Sequence, residues 1–320
     1  MCTAITMGRC FGRNLDLDRS YQEQAVIMPR RFPLRFRHAA ANTSHHAMVG
    51  MAVVDRGYPL FFDAMNEKGL CMAGLDFPDN AYYGPIIEKQ CNIAPFELIP
   101  WILCQCDRID NVRQLLSATN IADIPYSTNF LQTPLHWIIA DQSKCIVLET
   151  TRDGMNIYDN PVGVLCNNPP LPYQINHLAG YQHLSPQQQV HSFMDCSLKP
   201  YSGGLGAVGL PGDFSSPSRF VKTAFLKEHS PFEDSKIDHI SHFFHLLDAV
   251  AVPQGAVRTE NDRWTITHYS CCCDQESGIY YYTTCDNRRI RAVDLYRGKL
   301  DGNKIEVFPA GNEEDVLFIN

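Results

Sequence analysis

The residue of this chain that could do the most chemistry is Cys2, which directly follows the initiator methionine. Because a small residue follows Met1, the methionine can be trimmed, and trimming would leave a free α-amine and a thiol on one residue. The amine could then take the thiol proton, and the thiolate could attack a carbonyl. Reference pKa values near ~8 for an α-amine and ~8.5 for a thiol place both groups close to neutrality. The alternative is an ordinary cysteine near a chain terminus.

Arg13 and Asp16 are the next candidates, because they belong to a charged segment that starts with Phe-Gly, residues 11–16 (FGRNLD). Residues 2–7 form a short apolar run of strand length. A hairpin between these two segments would bring both charged side chains back beside Cys2. The sequence therefore predicts that the start of the chain builds much of its own site.

Asn167 and Arg219 are candidates from later in the chain. Asn167 ends a predicted strand, where its amide could point at a developing oxyanion, although asparagine before a turn is also common turn chemistry. Arg219 begins a predicted helix, where the helix dipole disfavours a cation. Its position indicates either an anionic partner, such as a thiolate, or a solvated surface side chain. The Gly-x-Ser-x-Gly motif of serine nucleophiles is absent, which leaves Cys2 as the nucleophile with a built-in base.

Composition limits the partners and the compartment. The net charge of −8 argues against nucleic acid, whose binding needs a basic surface. The sequence has no apolar run of about 18 residues and no signal-peptide pattern at its start, so we expect a cytoplasmic protein that does not span a membrane. Most of the 13 cysteines should then be reduced and buried. The consecutive Cys271, Cys272 and Cys273 alternate between the faces of a predicted strand, so we expect no metal site there.

The order of predicted elements is strands, helices, strands, helices, strands. Each strand block is a meander without alternating helices, which favours an α+β fold of two stacked sheets between helical layers. Asp110 and Ser216 are predicted N-caps, and Pro100 is predicted to kink its helix. No linker is evident, so residues 1–320 are predicted to form one domain. Strands are predicted over 2–7, 25–28, 47–54, from 59, and over 70–77, 136–141, 145–151, 155–158, 162–166, 264–272, 278–284 and 290–295, and helices over 94–106, 111–118, 216–228 and 237–250.

Ordered segments along essentially the whole chain resemble the choloylglycine hydrolase family, and in particular its bile salt hydrolase branch. The resemblance implies an N-terminal-nucleophile hydrolase with an αββα sandwich, assembled as a homotetramer and without a cofactor. The matching segments are MCT at 1–3, FGRNLD at 11–16, DAMNEKGL at 63–70, AGLDFP at 73–78, LHW at 135–137, YDNPVGVLCNNP at 158–169, GLPGDFSSPSRF at 209–220 and YYYTTCDN at 280–287.

The resemblance also implies roles for individual residues. Cys2 would be the nucleophile and its freed amine the general base, held by Asp16. Arg13 and Arg219 would set the electrostatics around the thiolate, and Asn167 would donate to the oxyanion.

One position departs from the family pattern. Bile salt hydrolases usually carry asparagine in the AGL-x-F segment and penicillin acylases carry tyrosine, whereas this chain has Asp76. An ionised carboxylate only accepts hydrogen bonds. We therefore expect either that the Asp76 backbone N–H donates to the oxyanion, or that the carboxyl is held protonated, or that the site is weaker. The backbone donor is the favoured alternative.

The implied reaction is hydrolysis of the amide between a bile acid and glycine or taurine. By family position, Leu15, Phe62, Tyr126 and Phe130 would line the apolar substrate pocket, although each could also be ordinary packing. Penicillin V acylase activity and transfer of the acyl group to free amines use the same chemistry and remain alternatives. A structural protein with a silent site is a third alternative, which a retained Met1 would favour.

Overall fold

Two antiparallel sheets dominate the part of the chain that the computed structural model describes, residues 1–127, 133–188, 192–193, 196–231, 239–311 and 313–320. Sheet 1 contains the start of the chain. Its spatial order is β12 (Val164–Leu165), β1 (Cys2–Met7), β2 (Cys10–Leu17), β16 (Trp264–Asp274), β17 (Ile279–Thr284) and β18 (Arg291–Asp294), and β15 (Val257–Arg258) pairs with β16.

Sheet 2 contains the middle of the chain. Its spatial order is β11 (Gly154–Asp159), β10 (Cys145–Thr151), β9 (Leu135–Ala140), β6 (Cys71–Asp76), β5 (Tyr58–Asn66), β4 (Met48–Asp55), β3 (Gln24–Met28) and β19 (Glu306–Pro309). Two short pairs stand apart from both sheets: β7 (Cys91–Ile93) with β8 (Thr119–Ile121), and β13 (Ser192–Phe193) with β14 (Cys196–Ser197).

Helices cover the outer face of each sheet. α4 (Ser216–Glu228) packs on β1 and β12, and α5 (His239–Asp248) packs on β2 and β16. On the other side, α1 (Leu98–Leu103) packs on β5 and β6, and α2 (Ile109–Leu116) follows it. A fifth helix, α3 (Leu171–His177), lies against α4.

Two hydrophobic clusters fill the layers between these elements. One joins residues of the two sheets, such as Ala4 and Cys271 of sheet 1 with Val49 and Ile138 of sheet 2. The other joins sheet 2 to α1 and α2. The layer order is therefore helix, sheet, sheet, helix, which confirms the predicted αββα sandwich. Among the described residues, no helix is both long and apolar enough to cross a membrane.

The hairpin at the start of the chain is confirmed. β1 and β2 pair with Cys2 opposite Leu15 and Ala4 opposite Arg13. Gly8, the first residue of the two-residue turn, has φ 55°, the positive value that glycine supplies in tight hairpins. This turn fixes the register, and the register places the charged residues of β2 beside Cys2.

Several predicted boundaries are wrong. The helix predicted over 94–106 is a 3₁₀ turn at Pro95–Glu97 followed by the short α1. Pro100 lies in the first turn of α1, where a missing N–H leaves no hydrogen bond unmade, so it does not interrupt that helix. The strand predicted over 162–166 is only Val164–Leu165, because the Asn160 side chain closes a turn with the backbone at residues 163 and 164.

Helix starts also differ from the prediction. Arg108, not Asp110, is the N-cap of α2, and Asp110 lies in its first turn. Ser215, not Ser216, is the N-cap of α4. Residues 237 and 238 of the last predicted helix lie outside the described residues.

Candidate active site

Cys2 sits at the first position of β1 and is almost completely buried. The Arg13 guanidinium, on the neighbouring strand, donates from Nη2 to the Cys2 Sγ at 2.6 Å. Arg13 is itself fully buried, and its Nη1 donates to the backbone oxygens of Phe62 at 3.2 Å and Gly74 at 2.5 Å. A buried cation with these fixed donors stabilises the thiolate form of the sulfur in contact with it.

The electrostatics of Arg13 agree with this arrangement. Burial disfavours its charged form, but the negative fields of Cys2, Tyr269 and Asp63 outweigh that effect and raise the pKa of Arg13. Burial and Asp63 raise the pKa of the neighbouring Cys271 thiol, and Arg13 opposes that rise.

Arg219 approaches the same residue from the helical side. Its Nη1 donates to the Cys2 backbone oxygen and to the Thr3 Oγ1, both at 2.5 Å, and its Nη2 donates to the Asn167 Oδ1 at 2.8 Å. Arg219 lies one turn after the N-cap of α4, on the buried face of that helix. The sequence left open an anionic partner, such as a thiolate, or a solvated surface position. Arg219 is in fact buried, and the carboxylate in reach is Asp16, whose Oδ2 lies 3.8 Å from Nη1 of Arg219.

Asp16 is fully buried and only partly satisfied. Its Oδ1 accepts a hydrogen bond from the Thr267 Oγ1 at 2.6 Å, whereas no donor among the described residues reaches its Oδ2. Burial raises the pKa of the Asp16 carboxyl, and Arg219 and Thr267 oppose that rise. The free oxygen is thus a buried acceptor that lacks a proton donor.

Asn167 joins Cys2 to sheet 2. Its Oδ1 accepts the Cys2 backbone N–H at 2.6 Å, and its Nδ2 donates to the Asp76 backbone oxygen at 2.7 Å. The Gln174 Nε2, from α3, holds the Asn167 backbone oxygen at 2.6 Å. A side-chain amide carries two N–H groups, and among the described residues one of those of Asn167 has a partner, the Asp76 oxygen.

Met1 is present and extends the hairpin by one residue pair. Its α-ammonium donates to the Asp16 backbone oxygen at 2.7 Å, and the Asp16 N–H donates to the Met1 oxygen at 3.1 Å. The Cys2 nitrogen is consequently a peptide nitrogen in this form of the chain.

Asp76 ends β6 next to this network. The Phe77 N–H points toward β9 and donates to the oxygen of Pro134, the residue before that strand. Because successive residues of an antiparallel strand point their N–H and C=O groups to opposite sides, those of Asp76 point away from β9. Gly74, two residues earlier, points its oxygen the same way, toward Arg13. The Asp76 backbone N–H therefore faces the side on which Asn167 and Arg13 lie.

The Asp76 side chain is half-buried. Burial raises the pKa of its carboxyl, opposed first by the α-ammonium of the chain start and then by His136 and Arg13.

The four predicted pocket residues occupy different places. Leu15 is buried directly opposite Cys2, and Phe62 packs at the edge of the inter-sheet cluster with its backbone oxygen on Arg13. Tyr126 instead packs against Phe96, and its hydroxyl donates to Asp55. Phe130 lies outside the described residues. Pocket roles for all four remain predictions.

Sequence reasoning missed Asp63, a fully buried carboxylate on β5. It accepts hydrogen bonds from the hydroxyls of Tyr269 and Tyr280, the latter at 2.7 Å, and from the Cys271 thiol at 3.5 Å. Burial raises the pKa of Asp63, and Arg13 opposes that rise. The available signal was an acidic residue inside an otherwise apolar strand run, which indicates a buried charge with partners.

No group of three or more histidine, cysteine, aspartate or glutamate side chains suited to a metal ion is found among the described residues. The arrangement instead combines a thiol in contact with a buried arginine, an amide oxygen that accepts from the Cys2 nitrogen, and a buried carboxylate, Asp16, 3.8 Å from Arg219.

The αββα fold is that of the N-terminal-nucleophile hydrolases. Residues 2–308 match the model of the linear amide C–N hydrolases of the choloylglycine hydrolase family. The chain belongs to that family and is a linear amide C–N hydrolase.

Known relatives align with this chain over its whole length. It is 42% identical over 324 residues to a bile salt hydrolase/transferase of Lactiplantibacillus plantarum, with 100% of both chains covered. It is 36% identical over 330 residues to a bile salt hydrolase/transferase of Clostridium perfringens, again with 100% of both covered.

Solved structures share this fold. A mutant of the conjugated bile acid hydrolase from Clostridium perfringens superposes with a TM-score of 0.94 at 36% identity, covering 100% of both chains. A penicillin V acylase from Agrobacterium tumefaciens superposes with a TM-score of 0.77 at 17% identity, covering 97% of this chain and 92% of that one. The second match supports the fold alone.

Proposed function

We propose that the chain hydrolyses the amide bond of bile salts conjugated to glycine or taurine, through a thioester on Cys2. The observation that carries the proposal is the pair of contacts on one residue: the Cys2 Sγ accepts from Arg13 at 2.6 Å, and the Cys2 nitrogen donates to Asn167 at 2.6 Å. The names of full-length relatives support the substrate class.

Removal of Met1 turns the Cys2 nitrogen into an amine. In this proposal the amine acts as the base and takes the thiol proton, and the buried Asp16 Oδ2, which no donor among the described residues reaches, accepts a hydrogen bond from the resulting ammonium. The trimmed nitrogen keeps the Asn167 Oδ1 as its existing partner. Asp16 and Asn167 would then orient the base.

The thiolate then attacks the scissile carbonyl, and a bond forms between Sγ and the carbonyl carbon. Two N–H groups are available for the oxyanion: the second amide N–H of Asn167 and the backbone N–H of Asp76. A backbone donor supplies this stabilisation whatever the charge of the Asp76 carboxyl.

Collapse of the tetrahedral intermediate breaks the C–N bond, and the α-ammonium gives its proton to the leaving amine. Water then attacks the thioester, gives a proton to the α-amine and releases the acid and the thiol. In this proposal the acyl group contacts Leu15, which pairs with Cys2, and Phe62, whose backbone oxygen accepts from Arg13. Tyr126 and Phe130 are retained as pocket candidates on family position alone.

We also propose that residues 1–320 form one domain, that the protein is cytoplasmic and that it is a homotetramer. All 13 cysteines are free thiols, which suits a reducing compartment. Light scattering coupled to size-exclusion chromatography tests the tetramer, and a single cooperative unfolding transition tests the single domain.

Penicillin V hydrolysis and acyl transfer are the competing activities, because both would proceed through the same thioester. The test is a parallel assay of glycocholate, taurocholate and penicillin V with protein whose mass shows that Met1 is absent. Release of glycine or taurine is expected, and cleavage of penicillin V alone would overturn the proposal. Addition of a free amine measures transfer, because the amide product differs in mass from the hydrolysis product.

A further inference from the structure

We propose that Asp63 is a positioning residue for the reaction: its buried carboxylate offsets part of the Arg13 charge and so sets how readily the Cys2 thiol loses its proton. The inference rests on the proposed role of Cys2 as the nucleophile and adds a group that acts on it through Arg13. Asp63 belongs to sheet 2, whereas Cys2 and Arg13 belong to sheet 1. The nucleophile is thus tuned from the opposite sheet.

A short series of contacts links Asp63 to the Cys2 sulfur. The Asp63 Oδ1 accepts from the Cys271 thiol at 3.5 Å, and Cys271 is the direct partner of Arg13 in the ladder between β16 and β2. Arg13 in turn donates to the Cys2 Sγ at 2.6 Å and to the backbone oxygen of Phe62, the residue before Asp63, at 3.2 Å. The carboxylate and the thiol therefore lie around the same guanidinium.

A β-bulge in β5 creates this arrangement. In the ladder with β4, Phe61 pairs with Ala52 and Asp63 pairs with Met51, so Phe62 is an extra residue without a partner. Because an extra residue interrupts the alternation of side chains along a strand, two consecutive side chains can face the same side. Phe62 packs at the edge of the inter-sheet cluster, and Asp63 reaches β16 and β17 across the same layer.

The distribution of buried charges also pairs Asp63 with Arg13. Among the residues that the structure describes, Arg13 and Arg219 are the buried arginine and lysine side chains. Arg219 has the Asp16 carboxylate at 3.8 Å. A buried charge requires a charge of opposite sign nearby, and Asp63 supplies it for Arg13. Of the groups that oppose the effect of burial on the pKa of Asp63, Arg13 acts most strongly.

The other titratable groups around this pair are known. Burial raises the pKa of the hydroxyls and thiols that surround Asp63, so they stay uncharged near neutral pH: Tyr269, Cys271 and Cys273 of β16 and Tyr280 of β17. The elements packed around Cys2 carry the α-amine before β1, Arg13 and Asp16 of β2, Asp76 of β6, Cys166 after β12 and Arg219 of α4. Replacement of Asp63 alters none of these groups.

Loss of the Asp63 charge should make the Cys2 thiol more acidic. In Asp63→Asn the Arg13 charge acts on the thiolate without an opposing anion, while the Phe62 and Gly74 oxygens still orient the guanidinium. Two unit charges roughly 10 Å apart, in surroundings between water and protein interior, shift an ionisation by about one pH unit. A thiolate of a thiol one unit more acidic is about three-fold less nucleophilic.

The charge of Asp63 has a use in the reaction. The proposed cycle passes one proton from the Cys2 thiol to the α-amine and on to the leaving amine. A thiol that is too acidic is a poor nucleophile, and a thiol that is too weakly acidic keeps its proton. Asp63 holds the thiol between these limits by weakening the field of Arg13.

The experiment measures the rate of Cys2 alkylation by iodoacetamide as a function of pH, in Met1-free protein, from the mass of the N-terminal peptide. Asp63→Asn should have a midpoint about one pH unit below that of wild type and a plateau about three-fold lower. The variant is then faster than wild type at low pH and slower at high pH, so the two profiles cross. A loss of packing alone changes the rate in one direction at every pH.

Asp274→Asn is the matched control, because it removes the charge of another buried carboxylate of β16. Asp274 lies opposite Cys10, whereas Leu15 is the residue of β2 that lies opposite Cys2. The strand between Cys10 and Leu15 is about 17 Å long, well beyond the screening length of charges in physiological salt. The alkylation profile of Asp274→Asn should therefore match that of wild type.

Tyr280→Phe is a second test variant, because it keeps the Asp63 charge and removes a hydroxyl that donates to it at 2.7 Å. The O–H dipole offsets part of the carboxylate charge, so its loss should move the Cys2 midpoint slightly to higher pH. This sign decides the case if Asp63→Asn does not fold, and a midpoint at or below that of wild type then overturns the inference.

An unchanged midpoint in a folded Asp63→Asn, or an equal shift in Asp274→Asn, also overturns the inference. Because iodoacetamide reports on Cys2 without any bile salt, the test is independent of the substrate. Failure of wild type to hydrolyse glycocholate counts against the proposed function and leaves the alkylation profiles to decide the role of Asp63.

Discussion

Asn167→Asp is the sharpest test of the proposed oxyanion donor, because aspartate has the shape of asparagine but no side-chain N–H. The substituted side chain can still accept from the Cys2 nitrogen and from Arg219, as Oδ1 does now at 2.6 and 2.8 Å. It loses the donation to the Asp76 oxygen and the second N–H beside Cys2. The variant therefore removes the donor and keeps the acceptor.

The magnitude follows from these contacts. Loss of one oxyanion donor lowers kcat by about 10²–10³-fold, or about 3–4 kcal/mol of transition-state stabilisation. The Asp76 oxygen loses a partner, which costs about 1–3 kcal/mol in the free energy of unfolding, but the new carboxylate gains an ion pair with Arg219. Asn167→Ala removes donor and acceptor together, so it should lose similar activity and more stability.

The assay is steady-state hydrolysis of glycocholate by Met1-free protein, with urea unfolding of each variant. Asn168→Asp is the control, because it makes the same exchange one residue later, where the amide donates to the Pro78 oxygen at 2.8 Å. If Asn167→Asp retains kcat within ten-fold of wild type while Asn168→Asp behaves the same, the amide of Asn167 is not an oxyanion donor.

Three further variants test the support of the site. Gly12→Ala should destabilise the protein by about 1–3 kcal/mol or more in urea unfolding and lower activity, because its Cβ would lie 1.9 Å from the Cys271 oxygen; an unchanged urea midpoint would contradict this. Tyr280→Phe should lower the free energy of unfolding by about 1.5–3 kcal/mol, since its hydroxyl donates to the buried Asp63 carboxylate at 2.7 Å. Asp213→Asn tests a pH effect: hydrogen bonds from residues 215 and 218 lower the pKa of Asp213 to about 2, so its stabilisation is present above its unfolded pKa and is lost as pH falls toward 2. The urea midpoints of wild type and Asp213→Asn should converge over that range, and a constant difference would refute the assignment.

The parts of the site that are close in sequence could be predicted from it. Cys2, Arg13 and Asp16 lie on two strands joined by a two-residue turn, so local pattern and turn chemistry bring them together. Asn167 and Arg219 were left open between a functional and an ordinary role. Their contacts with Cys2 span 165 and 217 residues, and pairing across such distances depends on how the sheets and α4 stack.

Other errors have local causes. α3 was missed because its sequence, Leu171–His177, follows two prolines and contains a third, which suggests a loop; the prolines in fact occupy the cap and first turn, where no N–H is needed. The predicted helix over 94–106 was too long because apolar residues at helical spacing also occur in the 3₁₀ turn before α1. Asp63 was missed because no local pattern reveals that two tyrosines from β16 and β17 face it.

The pairing of Met1 with Asp16 has a consequence for how the enzyme is made. In the folded chain the Met1 amine is part-buried and donates a hydrogen bond to the Asp16 oxygen. An aminopeptidase would have to open the hairpin to bind this amine. We expect maturation to occur on the emerging chain, before β2 has left the ribosome and closed on β1. Under the proposed mechanism, chains that fold first would persist as a stable, inactive population, and an affinity tag placed ahead of Met1 would create the same population throughout a preparation.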